Sequence, residues 1–189
     1  MVDLLDAPVL RRFCLDRARY ERMVEQGIFG PEDHLELLNG ELIMMAPQKS
    51  RHATAVTLLA QALQAAFAGR ATCRVQLPFN LDATSVPEPD IAVVPGSPRD
   101  YRDAHPERAL LIVEVADATR AYDRGPKLEA YARAGVPEYW ILDLATETLE
   151  VCREPFGDGF RRRQILSAAE RVAPLAAPGR EIAVADLLP

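Results

Sequence analysis

The sequence predicts an α/β fold, and three of its segments carry that expectation. ALLIVEV, residues 109–115, is apolar almost throughout, as a strand covered on both faces must be. EYWILDL, residues 138–144, reads as the next strand, and a helix ending at Gly135 lies between the two, which makes a βαβ crossover. LELLNGELIMMA sets Asn39-Gly40 between two apolar-rich runs, the mark of a two-residue type I′ turn, and so predicts a hairpin of 34–38 with 41–46.

The remaining elements follow from periodicity and punctuation. Asp16 is placed to cap a first helix that runs to Glu25 and stops at Gly27. Residues 50–67 are rich in Ala, Leu and Gln, and Val56, Leu59, Leu63 and Ala66 recur at helical spacing before Gly69 ends the segment. Strands are expected at 72–81 and at 91–94, the latter fenced by Pro89 and Pro95. Pro126 suits the first turn of the crossover helix, since the missing N–H is not needed there. TLEVCRE and GFRRRQIL read as antiparallel strands added at the sheet edge, ahead of a Pro- and Ala-rich tail. With no internal repeat and no linker, residues 1–189 are expected to form one domain.

Composition narrows the function. A chain of 189 residues that is 49% hydrophobic and 26% charged can bury a sizeable core. No apolar run approaches the roughly 18 residues of a membrane span, and MVDLLDAPVL lacks the regions of a signal peptide, so the expected location is cytoplasmic. Cys14, Cys73 and Cys152 are odd in number, far apart and outside any CxxC pair; they read as reduced, buried thiols rather than disulfides or zinc ligands. A net charge of -6 argues against a general nucleic-acid coat protein. It leaves room for a nuclease, because carboxylates that hold a metal add negative charge where phosphate binds. Lysine occurs only at Lys49 and Lys127, so a role that requires an ammonium group has two candidates.

Glu114 interrupts the apolar strand at a place where an unpaired carboxylate is costly to desolvate, and therefore calls for a cation. An ion pair with an arginine would answer equally well. Asp90 opens the preceding strand, so neighbouring strands could bring the two acids together, and oxygen ligands of this kind suit Mg²⁺ or Mn²⁺. Taken alone, Asp90 is an ordinary strand-end residue. Lys127 falls near the predicted start of the crossover helix, where the helix dipole disfavours a cation; the competing reading is a solvated surface lysine. Glu36, on the first hairpin, offers a further oxygen ligand or an acceptor behind the ligands, or else an exposed cross-strand partner.

LELLNGELIMMAPQKSRH, PEPDIAVVP and LLIVEVADATRAYDRGPKLEAYARAGVPEYWILDL together resemble the Uma family of restriction-endonuclease-like proteins, within the PD-(D/E)xK nuclease superfamily. The resemblance implies a restriction-endonuclease-like mixed central β-sheet flanked by helices, with the N-terminal hairpin and extra edge strands. It implies catalytic residues Asp90, with Pro89 as the PD element, Glu114, Lys127 and Glu36. Mg²⁺, with Mn²⁺ as an alternative, would be held by Asp90, Glu114 and the main-chain carbonyl of Val115. The implied activity is metal-dependent hydrolysis of nucleic-acid phosphodiesters, with DNA as the expected partner and a homodimer as the expected assembly. The alternative is an inactive nucleic-acid-binding or regulatory module on the same fold.

One position departs from the pattern: an E-x-K spacing would put lysine at 116, where this chain has Ala116, so Lys127 must fold back beside Glu114. Within the same blocks, His52 reads as a phosphate or substrate contact or as a helix-start packing residue. Asp123 reads as a helix cap, and Arg120 and Arg124 as phosphate ligands or solvated loop residues. Arg161, Arg162 and Arg163 read as a run that blunts an exposed edge strand.

Overall fold

The computed structural model describes residues 12–189; MVDLLDAPVL, on which the signal-peptide expectation rests, lies outside the described residues. Helix α1 (Arg17–Glu25) begins where Asp16 accepts a hydrogen bond from the Arg19 amide. It leads into the antiparallel hairpin β1 (Leu35–Leu38) and β2 (Glu41–Met44). Asn39 and Gly40 take φ of 52° and 79°, the left-handed pair that a type I′ turn requires. Helix α2 (Ser50–Phe67) follows and turns off through Ala68 and Gly69, both at positive φ.

A six-stranded sheet forms the centre, in the order β3 (Ala71–Val75), β4 (Ile91–Pro95), β5 (Leu111–Ala116), β6 (Glu138–Asp143), β7 (Thr148–Phe156), β8 (Gly159–Ser167). β5 and β6 run parallel, and every other neighbouring pair in this sheet is antiparallel. The sheet is therefore mixed and flanked by helices, as the resemblance implies.

Alternation along β5 assigns its two faces. Leu111, Val113 and Val115 pack with Leu59 and Leu63 of α2, while Ile112 and Ala116 pack on the other side with Leu128 and Tyr131 of the crossover. Glu114, between Ile112 and Ala116 in this alternation, belongs to the crossover side.

The first hairpin is tied to the loop before β4. Leu37 and Val86 exchange backbone hydrogen bonds, and the Gly40 amide donates to Thr84 O. This tie turns Glu36 inward until it is fully buried.

Four expectations need correction. The strand expected over 72–81 stops at Val75, because Gln76 adopts a left-handed φ of 49° and turns the chain. The crossover starts earlier than Pro126: a short helix α3 (Arg120–Tyr122) runs into a π turn (Asp123–Lys127) and then α4 (Leu128–Arg133). Pro126 has no amide to give, so an α-helical ladder cannot pass through it, and the wider turn absorbs the gap. Asp123 accordingly lies inside the helical segment and accepts from the Thr119 hydroxyl instead of capping the start. Cys14 is exposed, whereas Cys152 is buried. The Pro-rich tail also contains a short antiparallel pair, β9 (Arg171–Val172) with β10 (Ile182–Ala183), too brief to leave a periodicity. Among the described residues no helix is long and apolar enough to cross a membrane.

Gly40 tests the hairpin's attachment. A methyl there would be driven into the Cys14 side chain, and L-residues pay roughly 1–2 kcal/mol for the left-handed region alone. Gly179 has a similar φ of 81° but open space around its Cα. Thermal melting should therefore show a larger loss of stability for Gly40→Ala than for Gly179→Ala; equal losses would remove the Cys14 contact from the account.

Candidate active site

Asp90 lies one residue before β4, opposite Glu114 in the antiparallel register that pairs Ile91 with Val113. Each acid is anchored by the other's stretch of backbone. The Asp90 amide donates to Glu114 Oε2 at 3.2 Å, and the Val115 amide donates to Asp90 Oδ2 at 2.8 Å. Both side chains are buried, Asp90 at 8% exposure and Glu114 at 3%.

Lys127 enters from the π turn. Its Nζ lies 2.9 Å from Glu114 Oε1 and 3.3 Å from Glu36 Oε2, and the residue is only 1% exposed. The solvated-lysine reading is thereby excluded, as is the exposed-partner reading of Glu36. Tyr131, four residues further along the same helical face, donates its hydroxyl to Glu114 Oε1 at 2.9 Å. Glu36 accepts from the Tyr122 hydroxyl at 2.9 Å and from the Glu88 amide at 3.0 Å. The structure thus brings Glu36, Asp90, Glu114 and Lys127 into one cluster, with Val115 adjoining it through its amide.

Asp90 has two further partners. His52 Nε2 lies 3.1 Å from Oδ2, and Gln76 Nε2 donates to Oδ1 at 3.0 Å. Tyr122, Tyr131 and Gln76 were not singled out by sequence. Tyr131 alone left a trace, its four-residue spacing from Lys127.

The charges in this pocket do not balance. Glu36, Asp90, Glu114 and Asp123 are buried carboxyls, and Lys127 and His52 are the basic groups set among them. Burial pushes the Glu114 carboxyl up to about 8 against the pull of Lys127, and burial likewise pushes Asp123 up to about 6. Burial alone would lower the Lys127 ammonium, but the carboxylates of Glu114, Glu36 and Asp123 outweigh it and hold the proton on. Asp90 shifts downward: burial opposes its charge, yet the bonds from His52, Gln76 and the Val115 amide prevail. His52 is raised, the pull of Asp90 overcoming burial.

The neighbouring arginines are committed elsewhere. Asp143 holds Arg120 at 2.8 Å and Arg124 at 3.0 Å, and Glu150 holds Arg124 at 2.8 Å and also pairs with Arg163. Arg161 lies over the Phe156 ring and Arg162 pairs with Glu154, which suits the edge-strand reading.

Residues 17–185 match the family model Uma2, described as "Putative restriction endonuclease". The chain belongs to this family. Among solved structures it is similar to one titled as a putative nuclease belonging to DUF820 from Anabaena variabilis ATCC 29413, with a TM-score of 0.65 and 16% identity, covering 84% of this chain and 92% of that one. At that identity the likeness shows the shared fold. A comparison with curated proteins gave no match.

The raised carboxyls set a pH dependence for this Uma2 chain. In the unfolded chain they titrate near 4, whereas in the folded protein Asp123 and Glu114 do so at about 6 and about 8. Across that interval the folded state binds more protons than the unfolded one, so stability falls as pH rises. Without divalent ions, the melting temperature should drop between about pH 5 and pH 8, and Asp123→Asn should flatten the part of that limb below about pH 6. A melting temperature that climbs over the same interval would contradict these shifts.

Proposed function

We propose that the protein is a metal-dependent nuclease that hydrolyses phosphodiester bonds, with DNA as its substrate, at the cluster of Asp90, Glu114, Lys127 and Glu36. The observation that carries this reading is the fully buried Lys127 held between two glutamates beside a third acid. Burying ions is expensive, and apolar side chains of similar volume stabilise a core as well or better, so an ionic cluster in this position is better explained by chemistry than by packing.

The donor set fits a hard divalent cation. Among the described residues no three His, Cys, Asp or Glu side chains are grouped to hold a metal by themselves. Mg²⁺ does not need that many, since it is commonly held by one or two carboxylates together with water and substrate phosphate. Asp90, Glu114 and the Val115 carbonyl would hold Mg²⁺ or Mn²⁺, which when bound supplies charge stabilisation at the scissile phosphate and a more acidic water.

Lys127 acts as a fixed cation and not as a proton shuttle, because its carboxylate neighbours keep it protonated. It stabilises charge developing on the phosphate and draws the raised Glu114 carboxyl back toward its ionised form. Glu36 contributes by holding Lys127 in place through Oε2 while Tyr122 and the Glu88 amide fix Glu36 itself. Cutting both strands of a duplex calls for two such sites facing opposite strands, which a symmetric homodimer provides.

Nicking of supercoiled plasmid in Mg²⁺ or Mn²⁺ tests the reading. Wild type should nick, Asp90→Ala should not, and Lys127→Ala should lose about 10²–10³ in single-turnover rate. Lys127→Arg should recover little, because the planar guanidinium does not reproduce a compact ammonium in a closed pocket. Removing the ammonium leaves Glu114 and Glu36 unpaired at a cost of about 3–5 kcal/mol, so rates must be read well below the variant's melting temperature. DNA binding without cleavage by wild type would instead support the noncatalytic alternative.

A further inference from the structure

We propose that His52 is a positioning residue that fixes the Asp90 carboxylate for the divalent ion, acting through Asp90 and not as a ligand itself. The proposal rests on the nuclease-site reading above. Asp90 stands outside β4 and after Pro89, so the regular sheet does not by itself dictate where its carboxylate points.

Three donors from three separate elements impose that direction. The Val115 amide on β5 and His52 Nε2 on α2 both reach Oδ2, at 2.8 Å and 3.1 Å, and Gln76 Nε2 beyond β3 reaches Oδ1 at 3.0 Å. The platform behind His52 is rigid. It lies in the first turn of the 18-residue helix α2, whose Ala55, Val56, Leu59 and Leu63 are buried in the core against β5. The ring is itself largely buried and its Nδ1 has no partner among the described residues; Asp90 is the main group that pulls on its proton, with Asp117 and the Val115 backbone adding smaller pulls.

Gln76 supplies an independent sign of the same arrangement. Its backbone sits at a left-handed φ of 49°, a conformation costly for a residue with a side chain, while its amide nitrogen lies 3.2 Å from the carbonyls of both Pro89 and Asp90. Strain is thus accepted at the residue that grips the second oxygen of Asp90. Groups that hydrogen-bond to metal ligands typically control 10–100-fold in metal affinity.

Calorimetric titration of Mg²⁺ and of Mn²⁺ into the protein without nucleic acid tests the proposal. His52→Ala should weaken both ions by a common factor of about 10–100. His52→Gln, which can still donate to Oδ2, should recover most of the affinity, and Gln76→Ala should show a smaller loss of the same kind. Unchanged affinity in His52→Ala, with binding abolished in Asp90→Ala, would overturn the proposal and leave the nuclease site standing. A loss confined to Mn²⁺ would also overturn it, because nitrogen ligation favours Mn²⁺ over the harder Mg²⁺. Wild type that binds neither ion, or Asp90→Ala that binds as wild type does, would remove the site reading and this proposal with it. Melting curves and the His52→Gln arm separate these outcomes from misfolding of His52→Ala.

Discussion

The structure turns on one buried ammonium. Lys127 is the cation that makes it tolerable for Glu114 to sit in an otherwise apolar strand and for Glu36 to point inward from a hairpin. Each of those elements is shaped to reach it. The hairpin is tied to the loop before β4 so that Glu36 is enclosed, and the crossover opens into a π turn that delivers the lysine to β5. Coulombic attraction in a low-dielectric interior is strong, but so is the desolvation it must offset; the Tyr122 hydroxyl and the Asp90 amide satisfy the carboxylate oxygens that Lys127 leaves free, and the Tyr131 hydroxyl shares Glu114 Oε1 with it.

The displaced lysine has a simple geometric account. On a strand, residues two apart share a face, so a lysine at 116 would stand beside Glu114 on the crossover side. Ala116 leaves that space to the helical segment packed above it, and Lys127 approaches the same carboxylate from there. The position of the charge is kept although its place in the sequence changes. The π turn around Pro126 is the local irregularity that makes this possible, in keeping with the tendency of such turns to occur at functional sites.

Much of this was legible in the residues. Asn39-Gly40 fixed the hairpin because few turns accept two left-handed residues, and the boundaries of α2 followed from its apolar spacing. Glu114 was visible as a charge where only apolar residues belong. The ends of the strand after α2 and the start of the crossover were not, since no local pattern records the left-handed backbone of Gln76, and a proline's missing amide is accommodated equally by the first turn of a helix or by the wider turn found here. His52 was visible without its Asp90 partner, and Gln76, Tyr122 and Tyr131 were obscure, for a related reason: each meets the cluster from a different element, and only the sheet register and helix packing bring them together. The family resemblance supplied the grouping of Asp90, Glu114 and Lys127 that spacing alone left open.

A crystal soaked in Mn²⁺ and measured at the manganese absorption edge addresses the central claim most directly. The account predicts an anomalous peak in contact with the Asp90 and Glu114 carboxylates and the Val115 carbonyl, with Lys127 still bonded to Glu36. A saturated crystal whose manganese peaks all lie away from Asp90 and Glu114 would contradict it.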